Sequence, residues 1–570
     1  MRVRPFAELA SLLYKLNGKG YKAYREIQGA WKAHTYTLIV AHVQGDPFAT
    51  PSTVHIRLAP HVHQIPPEWW KNRIRRIALG DYLLRVFKRR VSSFPREGGT
   101  GHSGEIRVPA GQAEILERAA FYIGKDGLGI RFRVGLPADG RRIRGHAAAR
   151  ILTEYLPRAI PSLYWKNLDR EQLKQWVLLA EDHAYLQQML EQEGLVAFVR
   201  DGSILPRESG ISVRPLPDAV PFVSPPELRV SLSTLHHGEV TGMGIPAGVS
   251  VITGGGFHGK STLLRAIELG VYPHIPGDGR EWVVTLPGAM VVLSEDGRSV
   301  SGVDLSPFIR DLPLGRDTRN FSTQNASGST SLATAIQEGV EAGARLLLID
   351  EDRAATNFLI RDARMQQLVQ KETIIPYIDR VQELYREHGI STMLVIGGSG
   401  DYLEVVDKVI LMEDYLPRDA TTAAQNVVAT YPTGRITGKV SEAYHVTPRV
   451  LLPHSFPRSR RKDKVQAHGL HELVWNRERI ELWALQQLVE TGQVLSIGTL
   501  LRELAARHRE KAFLVEAVKE IYQIAQEGGL YALAPLPEQV MPRLLETIGT
   551  LNRLRTLKIQ QPDEVRHEAT

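Results

Sequence analysis

The sequence has no cysteine, little excess of one charge, and no apolar run of membrane-spanning length. Without cysteine the chain cannot form disulfides, thiolate metal sites or a cysteine nucleophile. Lysine and arginine number 70 against 63 aspartate and glutamate, a net charge of +7 over 570 residues. An excess this small does not by itself indicate a nucleic-acid partner, so that inference needs clusters of charge.

Two observations argue against a targeting or membrane segment. The N-terminus carries an acid at Glu8 and lacks the apolar core of a signal peptide. The uncharged residues 282–294 are fewer than the roughly 18 needed to cross a bilayer, and residues 240–259 are too rich in glycine and polar side chains. We therefore predict a cytoplasmic protein without a membrane part.

Composition shifts along the chain predict three domains. At about 150 residues per domain the length suggests three or four, and prolines crowd residues 206–226, as in a linker. We expect an N-terminal α+β domain over residues 1–205 and a second domain over 206–420. Residues 421–570 are expected to form a C-terminal domain with a basic linker followed by mainly helical structure.

Hydrophobic patterning in the N-terminal region mixes strand and helix signals. Residues 35–43 and 52–58 are rich in β-forming side chains on either side of a turn, which predicts neighbouring strands. Residues 171–193 have apolar side chains at helical spacing and are followed by Gly194, which predicts a long helix.

The central region has a different pattern. Nearly continuous apolar runs at residues 249–253, 346–350 and 392–396 are typical of strands buried on both faces. They predict an α/β fold with a mainly parallel sheet flanked by helices. Beyond residue 466, apolar stripes at the following places predict helices: 482–489, 499–508 and 513–525.

A glycine-rich loop joins the first of these strands to a helical segment. It matches the pattern G-x-x-x-x-G-K-[ST], in which backbone N–H groups and a helix N-terminus surround phosphates. Lys260 is expected to reach the β- and γ-phosphates of ATP, and Ser261 to ligate Mg²⁺. The candidate binding residues are Gly254, Gly255, Gly256, Phe257, His258, Gly259, Lys260, Ser261 and Thr262.

An acidic triplet follows the run at 346–350. Asp350 is expected to hold Mg²⁺, directly or through water, and Glu351 to polarise the attacking water as a general base. Lys260 and Glu351 are therefore the candidate catalytic residues. These residues alone leave open the alternative that the triplet only caps the end of a strand.

A serine-glycine pair opens the helical segment that precedes the acidic strand. It resembles the signature of the ABC ATPase class, and that resemblance implies that the Ser327 hydroxyl and the N–H groups of Gly328 and Ser329 bind the γ-phosphate of a nucleotide held by a second subunit. A serine-rich helix cap without a ligand would have the same sequence pattern.

Together these motifs resemble the family of predicted ATPases of the ABC class, which includes an ATPase of the kinetoplastid mitochondrial RNA-editing machinery. The resemblance implies a P-loop ATPase core that is not part of a transporter, with ATP and Mg²⁺ bound at a homodimer interface. It also implies a nucleic-acid partner, RNA being favoured. The residues that carry it are 254–264, 281–304, 321–331, 350–352, 355–358, 360–365 and 397–402, and more weakly 46–52.

The chain departs from the pattern of transport ATPases at two places. The usual signature Leu-Ser-Gly-Gly-Gln is replaced by Ala-Ser-Gly-Ser-Thr at residues 326–330. No histidine follows the strand at 392–396, which leaves Ser399 and Asp401 as candidate γ-phosphate sensors.

Two further family elements are weakly matched. Gln324 lies three residues before Ser327, closer than the lid glutamine of transport ATPases. Residues 355–357 follow Glu351 where the dimer-contacting loop is expected, and an ordinary strand-to-helix turn fits them equally well.

Basic side chains cluster outside the central region, at residues 73–76, 85–90, 141–144 and 458–464. Such clusters neutralise nucleic-acid phosphates, although any one of them also fits a solvated basic face. The leading hypothesis is an ABC-class ATPase homodimer that couples ATP binding and hydrolysis to a nucleic acid. The alternatives are a P-loop kinase or phosphotransferase acting on a small molecule, and a nucleotide-gated scaffold with little turnover.

Overall fold

The structure is a computed structural model that describes residues 3–436, 442–457 and 463–562. The chain forms two compact units, Met1–Glu181 with Ala525–Met541, and Asp182–Ile524 with Pro542–Thr570. Domain boundaries near residues 205 and 420 stay a prediction. Of the helices within the described ranges, none combines the length and hydropathy of a membrane span.

The first unit is built on a seven-stranded sheet. Its strands are β1 (Val3–Pro5), β2 (Gly29–Lys32), β3 (Thr37–His42), β4 (Ser52–Leu58), β5 (Ile106–Arg107), β6 (Phe121–Gly124) and β7 (Gly127–Val134), followed by the hairpin β8 (Ala138–Asp139) and β9 (Arg142–Ile143). The sheet order is β1-β2-β3-β4-β7-β5, with β6 paired to β7. Strands β3 and β4 are antiparallel neighbours, which confirms the prediction from residues 35–58.

Helices cover this sheet. They are α1 (Ala7–Leu16), α2 (Pro60–His63), α3 (Arg73–Ser92), α4 (Gly145–Ala149) and α5 (Leu156–Ala159), and the next helix, α6 (Arg170–Gln192), begins in this unit and ends in the second. Helix α3 buries its apolar face, and the ring of Phe87 lies 5.4 Å from that of Phe132 in β7. Helix α6 confirms the long helix predicted at 171–193.

The second unit contains the predicted parallel sheet. Its strands and those of the adjoining antiparallel sheets are β10 (Leu195–Arg200), β11 (Arg229–Ser233), β12 (Glu239–Pro246), β13 (Val249–Gly254), β14 (Val283–Thr285), β15 (Ala289–Val292), β16 (Val300–Val303), β17 (Phe321–Thr323), β18 (Leu346–Asp350), β19 (Ser391–Val395), β20 (Lys408–Glu413) and β21 (Leu416–Asp419). The main sheet has the order β15-β18-β19-β13-β20-β21. Its first five strands are parallel and β21 pairs antiparallel at the edge.

Helices flank this sheet, which confirms the predicted α/β core. They are α7 (Lys260–Leu269), α8 (Gly328–Glu341), α9 (Thr356–Leu359), α10 (Ala363–Leu368), α11 (Val381–His388) and α12 (Thr421–Thr430). Apolar residues of β13, β18 and β19 are buried in one core with those of α8 and α11. Burial on both faces explains why these strands appear in the sequence as continuous apolar runs.

The remaining elements combine helices with small sheets. They are β22 (Val450–Leu451), β23 (Val465–His468), β24 (Glu472–Trp475), β25 (Glu478–Glu481), α13 (Thr491–Arg507), β26 (Ala512–Phe513), α14 (Leu514–Gly528), α15 (Leu530–Leu533), α16 (Leu544–Asn552) and β27 (Ile559–Gln560). Helix α15 belongs to the first unit, and the division between the units falls within α14. The predicted helices at 499–508 and 513–525 lie largely within α13 and α14.

The prediction of a helix at residues 482–489 is wrong. The segment forms turns that bury Leu482, Ala484 and Leu488, so its apolar spacing reflects packing of irregular chain. The three-stranded sheet β23-β24-β25 was also not predicted.

Candidate nucleotide-binding site

The glycine-rich loop lies at the centre of the sheet's carboxyl edge. Strand β13 runs between β19 and β20, and the loop after it leads into α7 at Lys260. Gly254 has φ +140°, and a Cβ there would lie 2.3 Å from the carbonyl oxygen of Met412 in β20. Gly259, the helix cap, has φ +94°. Both positions therefore favour glycine, as a loop that turns its N–H groups inward requires.

The Lys260 ammonium folds back over this loop. Its Nζ donates hydrogen bonds of 2.7 Å to the carbonyl oxygens of both Gly254 and Gly255. An ammonium group has three donors, so one remains for a phosphate oxygen. Ser261, in the first turn of α7, is exposed, and Thr262 beside it is half-buried.

The two bulky residues of the loop have different environments. Phe257 adopts φ +64° and is 99% exposed. His258 Nδ1 accepts a hydrogen bond of 2.8 Å from the backbone N–H of Asp414, in the turn between β20 and β21. The histidine thus fixes the loop to the neighbouring strand connection, while the phenylalanine ring faces solvent.

Asp350 and Glu351 lie at the carboxyl end of β18, which is separated from β13 by the single strand β19. Asp350 is the last residue of β18 and lies opposite Val395 of β19. The Glu351 carboxylate accepts hydrogen bonds from the backbone N–H groups of Gly397 (2.7 Å) and Gly398 (3.1 Å). Its other oxygen accepts one from the Ser399 hydroxyl.

These contacts set the pKa values of the two carboxyl groups in opposite directions. Burial acts to raise the pKa of Glu351, but the Ser399 hydroxyl and the N–H groups of the Gly397 turn lower it below its usual value. Burial raises the pKa of Asp350, despite a hydrogen bond from the N–H of Asp352. A carboxylate that is costly to ionise in this way gains from a nearby cation, and the oxygen donors of Asp350 and Ser261 are of the kind that Mg²⁺ prefers. The residues present therefore fit the metal.

The serine-glycine helix is capped by its own side chain. Ser327 is the N-cap of α8, and its Oγ accepts from the Thr330 N–H at 3.4 Å and lies 3.0 Å from the Thr330 hydroxyl. Ser329 Oγ donates to Asn357 Oδ1 at 2.8 Å. The structure thus joins α8 to the expected dimer-contacting loop, residues 355–357.

The structure brings some of the candidate residues together and leaves others apart. Ser399 is in direct contact with Glu351. Within the described part of the chain, the hydrogen bonds of the Ser327 and Ser329 side chains go to α8 and Asn357, not to the glycine-rich loop. Gln324 is exposed, and its side chain donates to the carbonyl oxygen of Arg555 at 3.5 Å.

A cavity beside the loop was missed by the sequence analysis. It has a volume of about 280 Å³, adjoins Gly259 and Thr262, and is lined mainly by apolar residues. They come from residues 205–222, from the end of β20 and from the turn that follows it: Leu205, Pro206, Leu216, Val220, Phe222, Met412 and Tyr415. The predicted linker is therefore one wall of a cavity next to the phosphate-binding loop.

Two anchors hold the proline-rich segment in place. Arg207 forms an ion pair of 2.6 Å with the buried Asp278, and the N–H of Gly202 donates to the carbonyl oxygen of Phe222 at 2.7 Å. The sequence signal that could have indicated this wall was the presence of apolar residues such as Leu216, Val220 and Phe222 in a segment interpreted as a solvated linker.

The predicted basic clusters divide into paired and exposed side chains. Arg75 pairs with Glu181 at 2.7 Å and Arg85 with Asp81 at 2.6 Å, so both have structural roles. The side chains that remain exposed are Arg76, Lys88, Arg89, Arg90, Arg141, Arg142 and Lys464. Arg458, Arg460, Arg461 and Lys462 lie outside the described residues.

Comparison with known proteins gives relatives of limited coverage. The chain is 32% identical to the uncharacterized protein MJ1628 of Methanocaldococcus jannaschii over 242 residues, which is 40% of this chain and 53% of that protein. The chain thus spans about half the length of this curated relative.

Two solved structures are similar in part. One is cbiO1 from Clostridium perfringens, part of the ABC transporter complex cbiONQ, at 14% identity and TM-score 0.26, covering 42% of this chain and 94% of that one. The other is MJ1267, an ATP-binding cassette of an ABC transporter in its ADP conformation, at 13% identity and TM-score 0.22, covering 34% and 89%.

Three family models match consecutive parts of the chain. The N-terminal model of ATPases of the ABC class matches residues 6–165, and the P-loop domain model of ABC ATPases matches 169–449. The model of the MRB1590 C-terminal domain matches residues 464–560. These matches confirm the resemblance and the fold class expected from the motifs, and the chain belongs to the family of ATPases of the ABC class.

Proposed function

We propose that the protein is an ATPase that works as a homodimer and couples ATP binding and hydrolysis to a nucleic acid, RNA being favoured. Each chain supplies one glycine-rich loop and one Ser327 helix, so two chains would form two composite ATP sites. A cytoplasmic location stays a prediction from the sequence.

The observation that carries this proposal is the set of hydrogen bonds that fix the Glu351 carboxylate. Its carboxylate is fixed by three donors of the Gly397–Ser399 turn, at the same sheet edge as the loop that contains Lys260. A base held in this way keeps one orientation towards a water molecule. The same three donors make it a weaker base, which favours slow hydrolysis that acts as a gate.

Each residue would have a separate task. The third donor of Lys260 binds a phosphate oxygen, and the Ser327 hydroxyl with the α8 N-terminus binds the γ-phosphate of the nucleotide on the second chain. Glu351 takes a proton from the water that attacks the γ-phosphorus, and the products are ADP and phosphate. Ser261 and Asp350 would hold Mg²⁺, which when bound polarises phosphate oxygens.

The nucleic-acid part of the proposal rests on basic side chains that the fold leaves exposed. Lys88, Arg89 and Arg90 follow one another at the exposed end of α3, and Arg141 and Arg142 lie at the turn of the β8–β9 hairpin and the start of β9. Cations held outside ion pairs are available to phosphates. Their spacing does not distinguish RNA from DNA.

The first test combines ATP hydrolysis with molecular mass. We expect wild-type protein to hydrolyse ATP slowly, and Lys260→Ala to lose ATP binding because the loop keeps no cation for the phosphates. Glu351→Gln should bind ATP, hydrolyse it at least about 100-fold more slowly, and accumulate as a dimer in light scattering.

The alternative functions give different results in this test. Undiminished hydrolysis by Glu351→Gln would contradict the assigned base. Transfer of labelled phosphate to a small molecule by a monomer would indicate a kinase. Tight ATP binding by wild-type protein without turnover, with or without RNA, would indicate a nucleotide-gated scaffold.

A further inference from the structure

The turn after α16 reaches the loop that leads into the Ser327 helix. The Arg555 guanidinium donates to the carbonyl oxygen of Gln324 at 2.7 Å and to that of Gly297 at 3.1 Å. Gln324 returns a bond of 3.5 Å from its side-chain amide to the Arg555 carbonyl oxygen. One planar fork therefore spans two separate chain segments.

Those two segments are already paired with each other. The Gly297 N–H donates to the Ala326 carbonyl oxygen at 2.8 Å, and the Ala326 N–H donates to that of Arg298 at 3.0 Å. The pairing ends one residue before Ser327. Arg555 thus binds both of the paired backbone segments, and the segment that contains Gln324 and Ala326 leads directly into Ser327, the N-cap of α8.

A second arginine of the same turn, Arg553, is connected to the first turn of α8 through Glu295. Arg553 forms a buried, two-pronged ion pair with Glu295, and its Nε lies 3.0 Å from the carboxylate. The Glu295 N–H donates to the Ser331 hydroxyl in the first turn of α8 at 2.8 Å. Burial acts to raise the pKa of Glu295, but Arg553 and Arg298 hold it below its usual value.

The two arginines differ in exposure. Arg553 is buried and stabilises the fold through its ion pair with Glu295. Arg555 is exposed, and the acceptors of its two side-chain hydrogen bonds described above are both backbone carbonyl oxygens. Loss of the Arg555 side chain therefore leaves the Arg553–Glu295 pair and the core in place. What it removes is the restraint on residues 324–326.

We propose that Arg555 is a positioning residue of the composite ATP site. It restrains the Gln324–Ala326 loop, so that the Ser327 hydroxyl and the N-terminus of α8 can bind the γ-phosphate on the second chain without first losing conformational entropy in that loop. This inference rests on the proposed homodimer, and it makes the MRB1590-type C-terminal region a structural part of the site.

The test uses Glu351→Gln as the parent protein, because slow hydrolysis lets an ATP-bound dimer accumulate. Arg555→Ala is added to the parent, and Lys558→Ala serves as the matched control, since Lys558 is an exposed cation in the same segment. The MgATP concentration that half-converts monomer to dimer is measured by light scattering. MgATP binding under conditions where the protein is monomeric, and the melting temperature, are measured in parallel.

The expected result is a split between dimerisation and binding. Arg555→Ala should need about tenfold more MgATP for dimerisation, the effect of losing charge-assisted hydrogen bonds, while monomer affinity and melting temperature match those of Lys558→Ala. Arg555→Lys should fall between, because one ammonium cannot span both carbonyls as the fork does.

Other outcomes overturn the inference in distinguishable ways. Equal dimerisation by the parent and Arg555→Ala would show that the clamp has no role in closure. Parallel losses in monomer affinity and melting temperature would reduce Arg555 to a general stabilising residue. A parent that never dimerises with MgATP would overturn the proposed function, and the inference with it.

Discussion

The sequence left Ser399 and Asp401 as two candidates for one role at the nucleotide site, and the structure shows a contact of the Ser399 hydroxyl that separates them. Ser399 follows β19, where transport ATPases carry a histidine, and its hydroxyl donates to Glu351. Asp401, the other candidate from the sequence, is not among the donors to that carboxylate. The geometry therefore favours Ser399 as the side chain that orients Glu351, the proposed base, while the role of a γ-phosphate sensor stays a prediction for both residues.

We predict that Ser399→Ala lowers the rate constant for ATP hydrolysis by about tenfold with little change in the KM for ATP. The loss of one charge-assisted hydrogen bond frees one carboxylate oxygen of Glu351 to rotate, at a cost of roughly 1–2 kcal/mol in orientation. Steady-state kinetics with Asp401→Asn as the comparison checks this. A larger effect of Asp401→Asn would reverse the assignment.

At the scale of elements, α8 connects the site to a buried set of ion pairs. Arg298 pairs with Glu338 of α8 at 2.7 Å, and Glu295, in the loop after β15, pairs with Arg553. Buried pairs of this kind are costly to break, since removal of one partner leaves an uncompensated charge.

We predict that Glu295→Gln lowers the free energy of unfolding at pH 7 by about 3–5 kcal/mol. The folded-state pKa of Glu295 lies below its usual value of 4.5, so its contribution is complete above that value and is lost as the pH falls through the lowered pKa. The difference between wild type and Glu295→Gln should therefore shrink below pH 4.5.

Urea unfolding at pH 7, 5 and 4 measures this difference. Glu516→Gln is the matched control, because Glu516 pairs with Lys519 at 2.8 Å on the surface, where such a pair is worth about 0–1 kcal/mol. A constant difference at every pH would contradict the assigned pKa direction.

The elements of the core were predictable and their contacts were not. Strands β13, β18 and β19 appear as apolar runs because both faces are buried, and the loop after β13 has a phosphate-binding pattern that is specific by itself. The contact between Glu351 and Gly397 joins residues 46 positions apart, and no local pattern encodes it.

The proline-rich segment illustrates a second limit. Proline and glycine predict that residues 206–226 lack regular structure, which is correct for most of them. Irregular structure was then interpreted as a linker. The ion pair of Arg207 with Asp278, 71 residues away, is what fixes the segment as a cavity wall.

At the scale of the whole molecule, the question is where a nucleic acid would bind. The charge excess is small, and several predicted basic residues are used in ion pairs, so the exposed ones matter most. Lys88, Arg89 and Arg90 form the densest exposed group that the described residues of the predicted clusters contain.

We predict that replacing Lys88, Arg89 and Arg90 by glutamine weakens binding of single-stranded RNA and flattens its salt dependence. The slope of log K against log salt should fall by roughly 2, because each phosphate that the protein no longer neutralises lowers it by about 0.7. Filter binding at several salt concentrations measures this slope.

The control replaces three other exposed cations, Lys15, Lys19 and Lys22, which lie outside the predicted clusters. Their replacement gives the same change in net charge. If both triple variants change the slope equally, the effect comes from overall charge rather than from a binding surface.

The pairing of Glu295 with Arg553 also has a consequence for biosynthesis. The two residues are 258 positions apart, and a ribosome adds about 5–20 residues per second, so the carboxylate waits roughly 13–50 s for its cation. During that interval the nearby cation is Arg298, whose guanidinium lies 3.8 Å from Glu295 in the finished structure, so burial of the carboxylate is less favourable than after Arg553 is in place. The region around α8 therefore reaches its final packing only after the α16 turn has left the ribosome, and a chaperone that binds nascent chains would find this surface still open.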